Sequence, residues 1–98
     1  MSELSEAKES LLALQDAINR LLLAEEQFLI GKLDKATLRE AGKHAYSDMR
    51  ARVREIGDDF ISTEWSKFEQ CFSTSLEESY QCLRNIENRI HELLIELL

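Results

Sequence analysis

Residues 76–98 read LEESYQCLRNIENRIHELLIELL, and their apolar side chains repeat every seven positions. One position of the heptad is filled by Leu76, Leu83, Ile90 and Leu97. A second position, between these, is filled by Ile86 and Leu93. Such a repeat is the seam along which two helices pack over their length. The chain contains no proline that would interrupt a helix. This segment therefore predicts a long helix packed lengthwise against another helix.

The length and composition favour one helical domain. The chain has 98 residues, of which 44% are hydrophobic and 32% are charged, as in folded helical proteins. Three glycines and no proline leave few tight turns, which argues against an all-β fold. We predict an all-α protein with a single domain, residues 1–98, built as an antiparallel helical bundle of three long helices.

Glycines and capping residues set the expected helix boundaries. Gly31 and Gly57 are C-terminal stops, so we expect helices over about 3–30, 34–56 and 58–98. The residues available as N-caps are Ser2 or Ser5, Asp34 or Thr37, and Asp58 or Asp59.

The third helix has a possible break. Two capping-box pairs, Thr74 with Glu77 and Ser75 with Glu78, are typical of a new helix start. The apolar stripe nevertheless crosses this segment without losing phase. We expect a continuous or slightly bent helix, with a split into two helices as the alternative.

Each helix carries one apolar stripe, and the predicted core consists of Leu4, Ala7, Leu11, Leu14, Ile18, Leu21 and Phe28; Leu38, Ala41, Ala45, Met49, Val53 and Ile56; and Ile61, Trp65, Phe68 and Phe72. The small residues around Gly42 predict a close helix crossing. Glu25 is the only charged residue on its stripe, and a buried charge is costly without a partner. We expect a cation from helix two, such as Arg52 or Lys43, to pair with it.

The C-terminal segment predicts self-association. A third helix of about 40 residues would span about 60 Å, more than the first helix could cover at about 42 Å. The end of the chain is apolar on more than one face, and an exposed apolar surface marks an interface. We therefore expect dimerisation to complete the bundle through Leu94, Ile95, Leu97 and Leu98.

The chain has a net charge of −7, and its charge changes along the sequence from acidic to basic and back to acidic. Residues 32–54 carry seven bases against three acids. A whole-molecule negative charge opposes direct binding to nucleic acid. The basic side of helix two is expected to orient a protein partner by charge and comprises Arg39, Lys43, Arg50 and Arg54.

The sequence offers no catalytic, metal or cofactor motif. Glu40 with His44 and Glu87 with His91 are spaced as helix-surface ion pairs. Cys71 and Cys82 would lie about 16 Å apart on one helix, too far for a disulfide. Unpaired thiols fit a reducing compartment, and no leader or membrane span is visible. We expect a cytoplasmic protein that does not act at a membrane.

These features predict a non-catalytic protein-interaction module, which would be a small acidic adaptor, a secretion-type chaperone, or an inhibitor or immunity protein. Its partners would be another protein and a second copy of the chain. One alternative is a small-molecule enzyme or ligand-binding helical dimer with a cationic pocket from helix two. Another is an acidic nucleic-acid mimic that uses Asp58, Asp59, Glu64, Glu69, Glu77 and Glu78 as one surface.

Overall fold

Four helices form the part of the chain that the computed structural model describes, which is the backbone of residues 3–98 and the side chains of residues 5–98. They are α1 (Glu3–Leu29), α2 (Lys35–Ile56), α3 (Asp59–Cys71) and α4 (Leu76–Glu96). The predicted cap at Ser2 and the predicted core position at Leu4 lie outside the described residues. The all-helical prediction is confirmed.

The first two interhelical turns use the predicted stop and cap residues. The Asp34 carboxylate accepts a hydrogen bond from the Thr37 N–H at 2.7 Å, which caps α2. Gly57 takes the left-handed conformation (φ 64°) that ends α2, and Gly31 has φ 80° after α1. Asp58 caps α3 by accepting from the Ile61 N–H at 3.1 Å.

Asp58 also fixes α4 against α3. Its carboxylate accepts from two guanidinium nitrogens of Arg89, at 3.0 and 3.2 Å. These bonds hold the pKa of Asp58 below its ordinary value. One residue thus caps a helix and binds its neighbour in the bundle.

The expected continuous third helix is wrong, since α3 ends at Cys71 and α4 begins at Leu76. The Ser75 hydroxyl accepts from the Glu78 N–H at 3.3 Å, so this capping-box pair begins a helix. The Thr74 hydroxyl lies 3.4 Å from the carbonyl oxygens of Gln70 and Cys71, near the last carbonyls of α3. The reversal lets the apolar stripes of α3 and α4 face each other within one chain.

The helices run alternately up and down in a bundle of 43 × 21 × 21 Å. α1 packs against α2 and α4, α3 packs against α4, and the contact between α2 and α3 is the smallest of these four helix–helix contacts. The helix of about 60 Å, on which the dimerisation argument rested, does not form. The heptad seam instead packs inside its own chain.

The buried core confirms most of the predicted stripes and comprises Leu11, Leu14, Ala17, Ile18, Leu21, Leu22, Leu38, Ala45, Met49, Val53, Ile61, Trp65, Phe68, Cys82, Leu83, Ile86 and Ile90. Ala7 is exposed, so its predicted core position is wrong. Phe28, Ala41, Ile56 and Phe72 are half-buried at the margin of the core. A Cβ at Gly42 would overlap the Phe72 ring, so the close contact there is made by an aromatic side chain that follows α3, whereas the prediction was a crossing of two helices.

The cap at Ser75 predicts a measurable loss of stability. Ser75→Ala removes the acceptor for the Glu78 N–H and is expected to lower the free energy of unfolding by about 1 kcal/mol. Urea unfolding measures this loss. Ser73→Ala, an exposed serine two residues earlier, is the matched control and should stay near wild type. Equal losses in both variants would contradict a capping role for Ser75.

Candidate functional site

A cleft of about 510 Å³ lies at the end of the bundle where the α1–α2 and α3–α4 turns meet. Its apolar side chains are Phe28, Leu38, Phe72 and Leu76, and its polar wall is Ser73, Thr74 and Ser75. Three cations of α2 complete it, which are Lys35, Arg39 and Lys43. We call this site the basic cleft.

Local sequence explains the shape of the basic cleft. Lys35, Arg39 and Lys43 follow one another at intervals of four, so they lie along one face of α2. Gly42 leaves room for the Phe72 ring to lie over α2. Phe68 stacks on Trp65 at 5.1 Å and lies 5.3 Å from Phe72, which continues the aromatic core to the cleft.

The cations of the basic cleft are only partly neutralised. Lys43 lies 3.5 Å from Glu40, and both side chains are well exposed. Neither Lys35 nor Arg39 pairs with a carboxylate within the described part of the chain. Free cations beside an apolar floor favour a ligand that has both an anionic and an apolar part.

The predicted basic face divides in two. Arg39 and Lys43 line the basic cleft, whereas Arg50 and Arg54 lie further along the same face of α2 and do not. Sequence reasoning missed Lys35, although its spacing of four from Arg39 was the available signal. It also assigned Phe28 and Phe72, which are half-buried in the cleft, to the core, since a cleft floor and a core position have the same apolar pattern.

The four predicted self-association residues have different environments. Leu94 and Leu97 are half-buried against the core of their own chain. Ile95 and Leu98 are exposed, at 68% and 99%. Because α4 starts beside the basic cleft and runs away from it, these residues lie at the opposite end of the bundle. Leu97 also lines a depression of 260 Å³ there, which is bordered by acidic residues.

Glu25 is fully buried, and its predicted cationic partner is wrong. Arg52 pairs with Glu55 at 2.9 Å and Lys43 pairs with Glu40. Glu25 faces α4 instead, where the Ser79 hydroxyl donates to Oε1 at 3.4 Å. Its Oε2 atom has no partner in the described structure.

Burial of Glu25 changes its acidity. Removal from water raises the pKa of the carboxyl to about 7, and the Ser79 hydrogen bond opposes this rise. Ser79 occupies the seam position at which the heptad of α4 lacks an apolar residue. Glu25 interrupts the apolar stripe of α1 and Ser79 interrupts that of α4. These two interruptions were the sequence signal from which the pairing could have been predicted.

The predicted Glu–His ion pairs are absent from the described residues, because Glu40 pairs with Lys43 and Glu87 pairs with Arg84. Within that same part, no group of three His, Cys, Asp or Glu side chains could hold a metal.

The two thiols stay unpaired although the helix between them breaks. A hydrogen bond to Glu78 raises the pKa of Cys71, and burial raises the pKa of Cys82 to about 11. Both thiols are therefore weak nucleophiles.

The acidic residues proposed as a nucleic-acid mimic do not share one surface. Asp58 and Asp59 lie at the start of α3, and Glu77 and Glu78 lie at the start of α4, at opposite ends of the bundle. Glu64 is buried and bonds Lys67 and Asn85. Glu69 accepts a hydrogen bond from the Tyr46 hydroxyl.

Comparison of the chain with protein-family models, curated proteins and solved structures finds no match. Within residues 3–98, no helix combines the length and apolar character that crossing a membrane requires.

Glu25 predicts a pH-dependent stability. A carboxyl with a higher pKa in the folded chain holds its proton more tightly there, so its contribution to the free energy of unfolding falls as pH rises from 4.5 to about 7. Glu25→Gln removes that loss. We expect the variant to match wild type near pH 4.5 and to exceed it by about 3 kcal/mol above about pH 8.

Urea unfolding across this pH range measures the difference. Glu26→Gln is the matched control, because Glu26 is the exposed neighbour of Glu25 and accepts from the Tyr80 hydroxyl at 2.9 Å. Parallel pH profiles for wild type and Glu25→Gln would contradict the burial argument.

Proposed function

We propose that the protein is a non-catalytic protein-interaction module whose basic cleft binds an acidic, amphipathic segment of a partner. The observation that supports this proposal is the combination of an apolar floor with the unpaired cations Lys35 and Arg39. Apolar side chains of a helical segment would fill the floor, and carboxylates beside them would meet the cations. An adaptor, a chaperone or an inhibitor would each use such a site.

The charge around the basic cleft favours a compact anionic group over an extended anionic surface. Acidic residues lie close by in sequence, among them Asp34, Glu40, Glu77 and Glu78. They limit the positive field to the cleft itself, within the overall charge of −7. A duplex nucleic acid or an anionic bilayer would meet these acids as well as the cations.

A small amphipathic anion is the second candidate occupant. The cleft volume of about 510 Å³ lies within the range of small-molecule sites. A fatty-acid carboxylate would place its chain on Phe28 and Phe72 and its head at Arg39. With this occupant, the protein would be a ligand-binding helical bundle with a cationic pocket from α2.

The test uses a labelled helical peptide with leucines spaced i, i+3, i+4 and i+7 and glutamates at the flanking positions. We expect it to bind wild type, and we expect Arg39→Glu with Lys43→Glu to weaken binding by about 10- to 100-fold. Fluorescence anisotropy measures the affinity. A control peptide with the same leucines and with lysines in place of the glutamates tests whether charge contributes to the affinity.

The matched control is Arg50→Glu with Arg54→Glu, which makes the same charge change on the same face of α2 outside the cleft. It should change the affinity by less than about threefold, since exposed charges are screened beyond about 10 Å. Equal weakening by both double variants would place the peptide elsewhere. Direct binding of dodecanoate to wild type, measured by isothermal titration calorimetry, together with no binding of the peptide, would instead support the small-molecule candidate.

We also propose that the protein self-associates through the end of α4. Exposed Ile95 and Leu98 support this proposal, because large aliphatic side chains on a surface favour burial in an interface. Leu94 and Leu97 would border that interface from their half-buried positions.

Ile95→Asp with Leu98→Asp tests self-association without removing a buried side chain. We expect wild type to sediment as a dimer and the variant to sediment as a monomer with unchanged helicity. Leu12→Asp with Leu23→Asp, two exposed leucines of α1 (43% and 56%), is the matched control and should remain dimeric. A wild-type chain that stays monomeric over the concentration series would contradict the proposal.

A further inference from the structure

Glu25 and Ser79 form a polar layer directly behind the basic cleft. Phe28 follows Glu25 by three residues, and Leu76 precedes Ser79 by three residues. Each step is about one helical turn toward the same end of the bundle. Because Phe28 and Leu76 line the cleft, a ligand on that floor would cover the side chains adjacent to the buried carboxyl.

The neighbouring helices do not provide Glu25 with a salt bridge. On α4, Tyr80 bonds Glu26 and Arg84 pairs with Glu87 at 3.1 Å. On α3, the other buried carboxyl, Glu64, bonds Lys67. The charged or titratable groups of α2 nearest in sequence to the cleft are Lys35, Arg39, Glu40, Lys43 and the exposed His44.

The side of α2 that faces the core is apolar. Its residues there are Leu38, Ala41, Ala45 and Met49. Burial and the Ser79 hydroxyl therefore decide the charge state of Glu25. An occupant that covers this end of the bundle would increase that burial.

We propose that binding in the basic cleft is coupled to proton uptake at Glu25, so that an acidic segment binds more tightly when this carboxyl is protonated. This inference rests on the proposed function of the cleft. It adds a regulator of that function, which is the pH of the surroundings.

Two effects of an occupant act in the same direction. Apolar side chains over Phe28 and Leu76 replace the solvent beyond these two residues, which deepens the burial of Glu25 and disfavours its ionised carboxylate. Carboxylates of the occupant add negative charge at this end of the bundle, and a like charge disfavours the ionised form of Glu25. Binding and protonation must then strengthen each other by the same factor.

The raised pKa of Glu25 places this coupling near neutral pH. Its pKa of about 7 in the unoccupied chain means that both charge states are populated there. The thiol of Cys82 does not interfere, because burial raises its pKa to about 11.

Isothermal titration calorimetry with the acidic peptide tests the coupling. Titrations in two buffers of different ionisation enthalpy count the protons taken up on binding. For wild type we expect net uptake near pH 7 and an affinity about three- to tenfold higher at about pH 6 than at about pH 8. Glu25→Gln should lose this uptake and most of this pH dependence.

Glu26→Gln is the control and should retain the wild-type pH profile, since Glu26 is exposed. The inference is overturned if Glu25→Gln binds the peptide with the same proton uptake and pH profile as wild type, and the proposed function then stands. If wild type does not bind the peptide at any of these pH values, the proposed function fails and the coupling fails with it.

Discussion

The reversal between Cys71 and Leu76 is the constraint on which the rest of the bundle depends. Without it, the apolar face of α4 would continue away from α1 and would need a second chain to cover it. With it, Leu83, Ile86 and Ile90 are buried within one chain. An N-cap contributes about 1 kcal/mol, whereas each fully buried large aliphatic side chain contributes about 1.5–3 kcal/mol. Packing therefore decides that the helix breaks, and the cap at Ser75 decides where.

The same reversal creates the basic cleft. Phe72 ends α3 over Gly42 and is only half-buried, because the chain turns away before another helix can cover it. Lys35 stands at the first position of α2, where the positive end of the helix dipole disfavours a cation. Local rules of helix stability would place an acid there. A position that departs from these rules beside an uncovered apolar floor is expected at a binding site.

Sequence patterns predicted the features that depend on neighbouring residues and missed those that depend on tertiary packing. Gly31, Gly57, Asp34 and Asp58 set helix ends by local conformation and hydrogen bonding, so their roles were predictable. The break at Ser75 had a local signal, but an apolar stripe in phase on both sides gave the opposite prediction.

The partner of Glu25 was predicted wrongly for a related reason. Its place on the apolar stripe of α1 was correct, and its full burial followed from that place. Three helices would have left α2 as the source of a partner, whereas four helices place α4 beside it. The division of the basic face has the same origin, because only the α3–α4 turn distinguishes Arg39 and Lys43 from Arg50 and Arg54.

Stability and binding are connected through the polar layer of Glu25 and Ser79. A domain of this size has a total stability of about 5–15 kcal/mol, so an ionised buried carboxyl that costs about 3 kcal/mol is a large fraction of it. The cost falls on the end of the bundle that also carries the half-buried Phe28, Phe72 and Leu76. Regions with fewer buried apolar contacts open at lower free energy than the core. An occupant of the basic cleft would stabilise this end, and a partner that binds only the folded chain raises its stability by mass action.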